Sequence, residues 1–149
     1  MNVGFTGSRK GMADKQFEIF QELLNEIILR EPQSIFSHGQ CIGADSEATS
    51  LAYDLGFRVI AHPGFSPKNP SYKGYRGSFN NNHETHPEKP FLIRDHDIVD
   101  SSDILVATPK QQKEILRSGT WATIRYGQKT KMVIIIFPDG ITNVSICKK

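Results

Sequence analysis

The sequence has no long apolar run. None of its stretches approaches the ~18 consecutive apolar residues of a membrane span, so no membrane partner is expected. No secretory leader is expected either: MNVGFTGSRK has no apolar h-region and reads as a strand entering a loop. Cysteine is scarce. Cys41 and Cys147 form no CxxC pair, which excludes a disulfide scaffold and makes free thiols in a reducing cytoplasm the expectation. There is no strong charge excess. With a formal net charge of +2 and scattered Lys and Arg, a polyanion groove is not demanded, although a small anionic ligand is compatible.

What is present is ordinary globular material, 38% apolar and 23% charged. The 149 residues suit one domain, 1–149, with one sizeable core. The pattern alternates. A strand over residues 2–6 ends in Gly7-Ser8-Arg9-Lys10-Gly11. Phe17, Phe20, Leu24, Ile27 and Ile28 then recur at helical spacing up to Arg30, before Pro32. A strand over 34–37 is broken by His38-Gly39. Ala44, Ala48, Leu51, Ala52 and Leu55 mark a second helix that Gly56 stops. Further strands fall at 57–61, 104–107 and 132–137, with a helix over 120–128 before the last and a short edge strand expected at 141–146. Strands separated by helices predict βαβ units, hence a Rossmann-like three-layer α/β sandwich with a mainly parallel sheet of five or more strands.

One segment, at about residues 63–90, has no usable periodicity and is rich in Pro, Gly, Asn and aromatics. A loop of that size is often a lid or binding loop. Tyr72, Tyr75, Arg76 and Phe79 are suited to gripping a base and a phosphate.

Open α/β sheets bind ligands beyond the carboxyl ends of their strands. The turns predicted there are Gly7-Ser8-Arg9-Lys10; His38 to Asp45, with Gly39, Gly43 and Ala44; His62-Pro63-Gly64; and Thr108-Pro109, leading to Arg117-Ser118-Gly119-Thr120-Trp121. Two of them feed helix N-termini, where free amides and the helix dipole favour an anion. Singly each is ordinary capping; together on one edge they point to a phosphorylated ligand.

Two other chemistries are worth weighing. Gly39-Gln40-Cys41-Ile42-Gly43 has nucleophile-elbow spacing, with His62, His83, His86 or His96 as a base, yet a tight turn explains the same residues. His83-Glu84-Thr85-His86 invites a metal reading, but HxxH in an Asn-rich loop is not a helical HExxH; no metal site and no cofactor are expected. Trp121 reads as a packed helix residue whose N–H finds a partner.

The ordered set of GSR, HGQCIGAD, AHPG, RDHDIVDSSDILVA and RSGTWATIRYGQK resembles the SLOG superfamily, Rossmann-like domains related to LOG cytokinin-activating enzymes, the DNA-processing protein DprA and nucleotide sensors of antiviral systems. It is most similar to small stand-alone members, phage-borne or molybdenum-cofactor-carrier-like. The resemblance implies that Gly119 and Thr120 bind phosphate, that Ser8 and Arg9 line the pocket, that Gly43 and Asp45 lie near a ribose, and that Arg94 points back to the site. It also implies a homo-oligomer.

LOG-type enzymes carry PGGxGTxxE, whose glutamates assist glycosidic cleavage. Here Ala122 and Thr123 stand where acids are expected. Asp45 and Glu114 are the remaining candidates for an acid–base group. The leading expectation is therefore a cytoplasmic protein that binds a nucleotide or nucleoside-diphosphate-ribose derivative as a sensor or sponge, for instance for an ADP-ribose-type immune signal. The alternatives are a nucleoside-monophosphate N-glycosidase and single-stranded nucleic-acid binding, against which the near-neutral charge argues.

Overall fold

The computed structural model describes residues 1–74, 76 and 81–147. Tyr75 and Phe79, two of the loop aromatics singled out above, lie outside the described residues.

In chain order the elements are β1 (Asn2–Gly7), α1 (Asp14–Arg30), β2 (Ile35–His38), α2 (Ala44–Leu55), β3 (Arg58–Ala61), β4 (Gly64–Phe65), β5 (Glu84–Thr85), β6 (Lys89–Pro90), α3 (Phe91–Asp100), β7 (Ile104–Thr108), α4 (Gly119–Gln128), β8 (Met132–Ile136) and β9 (Thr142–Ser145). Seven strands form one sheet in the order β5-β3-β2-β1-β7-β8-β9, parallel throughout except for β9. The expected mainly parallel α/β sandwich is what the chain forms.

Alternation along the central strands sends side chains to both faces. Ile104 and Val106 join Val3, Phe5, Phe36, Phe20 and Leu24 in a core under α1 and α2. Leu105 and Ala107 join Val99, Trp121, Ile124 and Val133 under α3 and α4. Both faces being covered explains why β7 and β8 are unbroken apolar runs. At the centre of the larger core, the Phe5 ring lies 5.3 Å from Phe20 and 5.7 Å from Phe36. Gly56 ends α2 in the left-handed conformation, φ 98°, as its position suggested. No helix among the described residues is long and apolar enough to cross a membrane.

Two features differ from expectation. The 63–90 segment is not featureless: β5 extends the main sheet beside β3, and β4 pairs with β6 in a small separate ribbon. Strands of two residues are too short to leave a periodic signal. Helix α3 follows at once, with Pro90 as its N-cap residue; it buries Arg94, Ile98 and Val99.

The order of strands places the switch point between β1 and β7. Chain leaves β1 toward β2 on one side, while β7 lies on the other, so the connecting loops diverge and open a crevice at the carboxyl ends.

Candidate functional site

A cavity of about 780 Å³ opens at that crevice. Its walls come from the β1 loop, the β2–α2 turn, the first half of α3, the segment after β7 and the first turns of α4. Of the residues singled out from sequence, Gly7, Ser8, Arg9, Gly39, Asp45, Arg94, Ser118, Gly119, Thr120 and Trp121 line it.

The β1 loop is shaped by Ser8. Its hydroxyl accepts the Lys10 N–H at 3.0 Å, and its carbonyl accepts the N–H groups of Gly11 and Ala44 at 3.1 and 2.9 Å. The last bond fastens the loop to the start of α2. Gly43 makes this possible: its φ is 82°, and a Cβ there would overlap the Arg9 carbonyl. Gly43 and Ala44 therefore sit behind the cavity wall and hold the Ser8–Arg9 segment in place; neither lines the cavity.

On the far side, Ser118 caps α4 by accepting the Trp121 N–H at 3.3 Å, and the Thr120 hydroxyl donates to the Gly7 carbonyl at 3.1 Å. The Gly119 and Thr120 amides belong to the first turn of the helix, where no carbonyl lies one turn back to accept them. Space beside Gly119 is open, since nothing lies within 4 Å of where its Cβ would be. Arg9, Lys10, Lys110 and Arg117 add positive charge around this end. First-turn amides, a helix dipole and cations are together suited to holding an anion.

The opposite end is organised by Arg94, 7% exposed. Its Nη1 donates to the carbonyls of Gly39 at 2.6 Å and His62 at 3.1 Å, and its Nε donates to Asp95 at 2.7 Å. One side chain on α3 thus clasps the ends of β2 and β3. Asp45, 4% exposed, accepts the Gly39 and Cys41 N–H groups, both at 3.1 Å. Burial pushes its carboxyl up to about 6, against the pull of those amides and Arg94. Asp95 is also raised by burial, with Arg94 opposing.

Several expected residues lie elsewhere. Glu114 is exposed and paired with Arg125 at 2.9 Å, so it does not reach the cavity. The Pro109 carbonyl is taken by the buried Gln16 side chain at 2.9 Å, which also donates to Ile136 at 2.7 Å. His62 and Pro63 are turned from the cavity; the His62 ring lies 4.4 Å from His86 over a shallow depression. Arg76 donates to the Gly64 carbonyl at 3.0 Å and to Glu88 at 2.6 Å, tying the long segment to itself. Trp121 packs in the α3–α4 core, but its buried indole N–H has no partner among the described residues.

The Cys41 thiol is pushed up to about 12 by burial and by Asp45, which removes the thiolate a nucleophile needs. Both cysteines are free. Apart from the His62–His86 pair, the candidate bases lie apart: His83 stacks on Tyr53, and His96 stacks on Tyr126. No group of three or more metal-ligating side chains is assembled among the described residues.

Sequence reasoning missed Phe91, Asp95, Thr123 and Lys110 as cavity residues. A signal for Asp95 existed. Arg94 and Ile98, like Asp95 and Val99, are four apart, which is one turn of a helix that brings this pair to the core side.

No family model matches the chain, and no curated protein is detectably similar in sequence. Solved structures are similar. A molybdenum cofactor binding protein from the phototrophic bacterium Rippkaea orientalis superposes with a TM-score of 0.63 at 18% identity, over 91% of this chain and 76% of that one. DNA processing protein A from Helicobacter pylori, described with a single-stranded DNA binding mode, gives 0.57 at 18% identity, over 91% of this chain and 64% of that one. The chain thus spans less than two thirds of the second protein. The fold is shared with both. Both are of kinds that the sequence resemblance had named.

Proposed function

We propose that this protein binds a phosphorylated nucleotide or nucleoside-diphosphate-ribose derivative in the β1–β7 crevice, as a sensor or sequestering protein. The observation that carries the reading is the meeting of the α4 N-terminus with the Gly7–Lys10 loop across one cavity, with open space where a Gly119 side chain would stand. Phosphate is held there; the sugar runs toward Asp45 and Arg94; the 63–90 segment, through Tyr72 and Gly74, covers the far end. An ADP-ribose-type signal is one ligand of suitable size and charge, and the sponge role belongs with it. The whole chain acts as one domain and pairs with a second copy.

A second reading, nucleotide N-glycosidase, is favoured by one specific observation: two carboxyls with raised pKa, Asp45 and Asp95, line the cavity. Glu114 plays no part in it.

A thermal-shift screen against nucleoside mono- and diphosphates, ADP-ribose, NAD, cyclic nucleotides and single-stranded oligonucleotides tests both, with products followed by chromatography. A ligand at 100 times its Kd adds about 2.7 kcal/mol of stability. A shift with intact ligand supports the binder, and a shift with released base supports the glycosidase. A shift with oligonucleotides alone transfers the site to nucleic acid. No shift with any of them overturns the reading.

A further inference from the structure

The cavity has two chemically opposite ends. Amides and cations occupy the α4 end, as described above. The α2–α3 end presents two carboxylates, with the Arg94 guanidinium beside them. These carboxylates are not equally available. Asp45 is almost fully buried, and its Oδ2 already accepts two backbone N–H groups. The Asp95 side chain is 20% exposed and keeps one oxygen on Arg94 Nε at 2.7 Å. The Thr123 hydroxyl, bonded to the Gly119 carbonyl at 2.9 Å, stands against Asp95 from α4. Asp95 thus faces the wall of α4 at Thr123.

The chemistry of the group that meets Asp95 is constrained. An anion is repelled by the carboxylate. A cation would be pressed against Arg94, whose charge is buried and already matched to Asp95. A neutral donor remains, and two adjacent hydroxyls fit a carboxylate best, because the oxygens accept side by side.

We infer that Asp95 is a specificity-determining residue, whose carboxylate accepts hydrogen bonds from the vicinal hydroxyls of a ribose while the phosphate lies at Gly119 and Thr120. The inference rests on the nucleotide reading above and narrows it to ribo- over 2′-deoxyribo-ligands. Arg94 acts through Asp95 by fixing its rotamer.

Calorimetric titration of the wild-type protein with AMP, dAMP, ribose 5-phosphate, 2-deoxyribose 5-phosphate and inorganic pyrophosphate tests it. Both ribo-compounds should bind roughly tenfold or more tighter than their deoxy partners, the scale of one charge-assisted hydrogen bond. Asp95→Asn keeps an oxygen for Arg94 but replaces the other acceptor by a donor. It should bring each pair to within about twofold while leaving pyrophosphate affinity in place. Equal binding of AMP and dAMP by the wild type overturns the inference and leaves the phosphate site standing. An unchanged ribo-preference in folded Asp95→Asn removes the role from Asp95. Failure of every phosphate-bearing probe to bind overturns the nucleotide reading and this inference with it.

Discussion

Arg94 occupies the space that a side chain at Gly39 would need. Its Nη1 lies 2.8 Å from the position of a Cβ there and 2.6 Å from the Gly39 carbonyl oxygen, so the missing methyl and the guanidinium fit one another. Gly64 meets the same side chain from the other direction, its Cβ position 3.1 Å from Arg94 Cζ. The glycines in these two turns are there for the arginine as much as for any ligand.

Removing the clasp should cost more than removing any surface charge. Arg94→Met leaves two buried carbonyls and the partly buried Asp95 carboxylate without their donor, a loss of about 3 kcal/mol. Arg94→Lys keeps the charge but not the fork, and should recover only part. Urea denaturation of the two variants checks this; equal and small losses would show that the clasp is dispensable.

Gly119→Ala separates binding from folding. The new methyl meets no protein atom within 4 Å, and alanine suits a helix better than glycine, so stability should hold or rise by up to about 1 kcal/mol. With phosphate held at the α4 N-terminus as proposed, the methyl would crowd it, and affinity for a nucleotide identified in the screen should fall roughly tenfold or more. A stable variant with undiminished affinity would move the phosphate away from α4.

Glu114→Gln should do little. The carboxylate is exposed and its partnership with Arg125 lies on the surface, worth less than about 1 kcal/mol. Ligand-induced shifts in melting temperature should match those of the wild type. A large drop in affinity would bring Glu114 back to the site.

The pH dependence of stability combines opposing contributions. Burial holds His38 down to about 4, and its ring, accepting the Gln40 N–H at Nδ1 and donating to Asn82 from Nε2, stays neutral. Between pH 6.5 and 4 the unfolded chain binds a proton that the folded one refuses, so stability falls with pH there, by about 3 kcal/mol at most. Burial, then the neighbouring His86, holds His62 down to about 4, with the same sign. Asp45, held up to about 6, works the other way: the folded chain keeps a proton the unfolded chain releases, and that contribution is lost as pH rises through 6. Urea midpoints from pH 7 to 4 should therefore decline less steeply in His38→Gln and more steeply in Asp45→Asn. The reverse ordering would contradict both assignments.

Much of the architecture was legible because its signals are local and periodic. The unbroken apolar runs of β7 and β8 announce strands covered on both faces, and the 3.6-residue recurrence in α1 needs no tertiary information. That Gly7, Ser8, Gly119 and Thr120 meet at one cavity was legible for a related reason: they sit in turns that the strand and helix boundaries fix. What sequence could not give was which polar residue is already spoken for. Pro109 and Gly43 stand in the right turns, yet Gln16, 93 residues from Pro109, and the Arg9 carbonyl claim them. Glu114 and Asp95 are equally acidic on paper. Only packing of α3 against α4 brings one into the crevice and leaves the other in solvent.

The paired ends of the long segment have an implication for how such a protein can change. β4 with β6, and β3 with β5, staple the entry and exit of the stretch between Phe65 and Glu84 to the same corner of the sheet. A change within that stretch is felt at α3, because Tyr72 and Gly74 pack against Phe91 in the first turn of the helix that carries Arg94. The two ends of the stretch are pinned by strand pairing while Tyr72 and Gly74 between them bear on the crevice wall, so a substitution there reshapes the cavity without loosening the sheet.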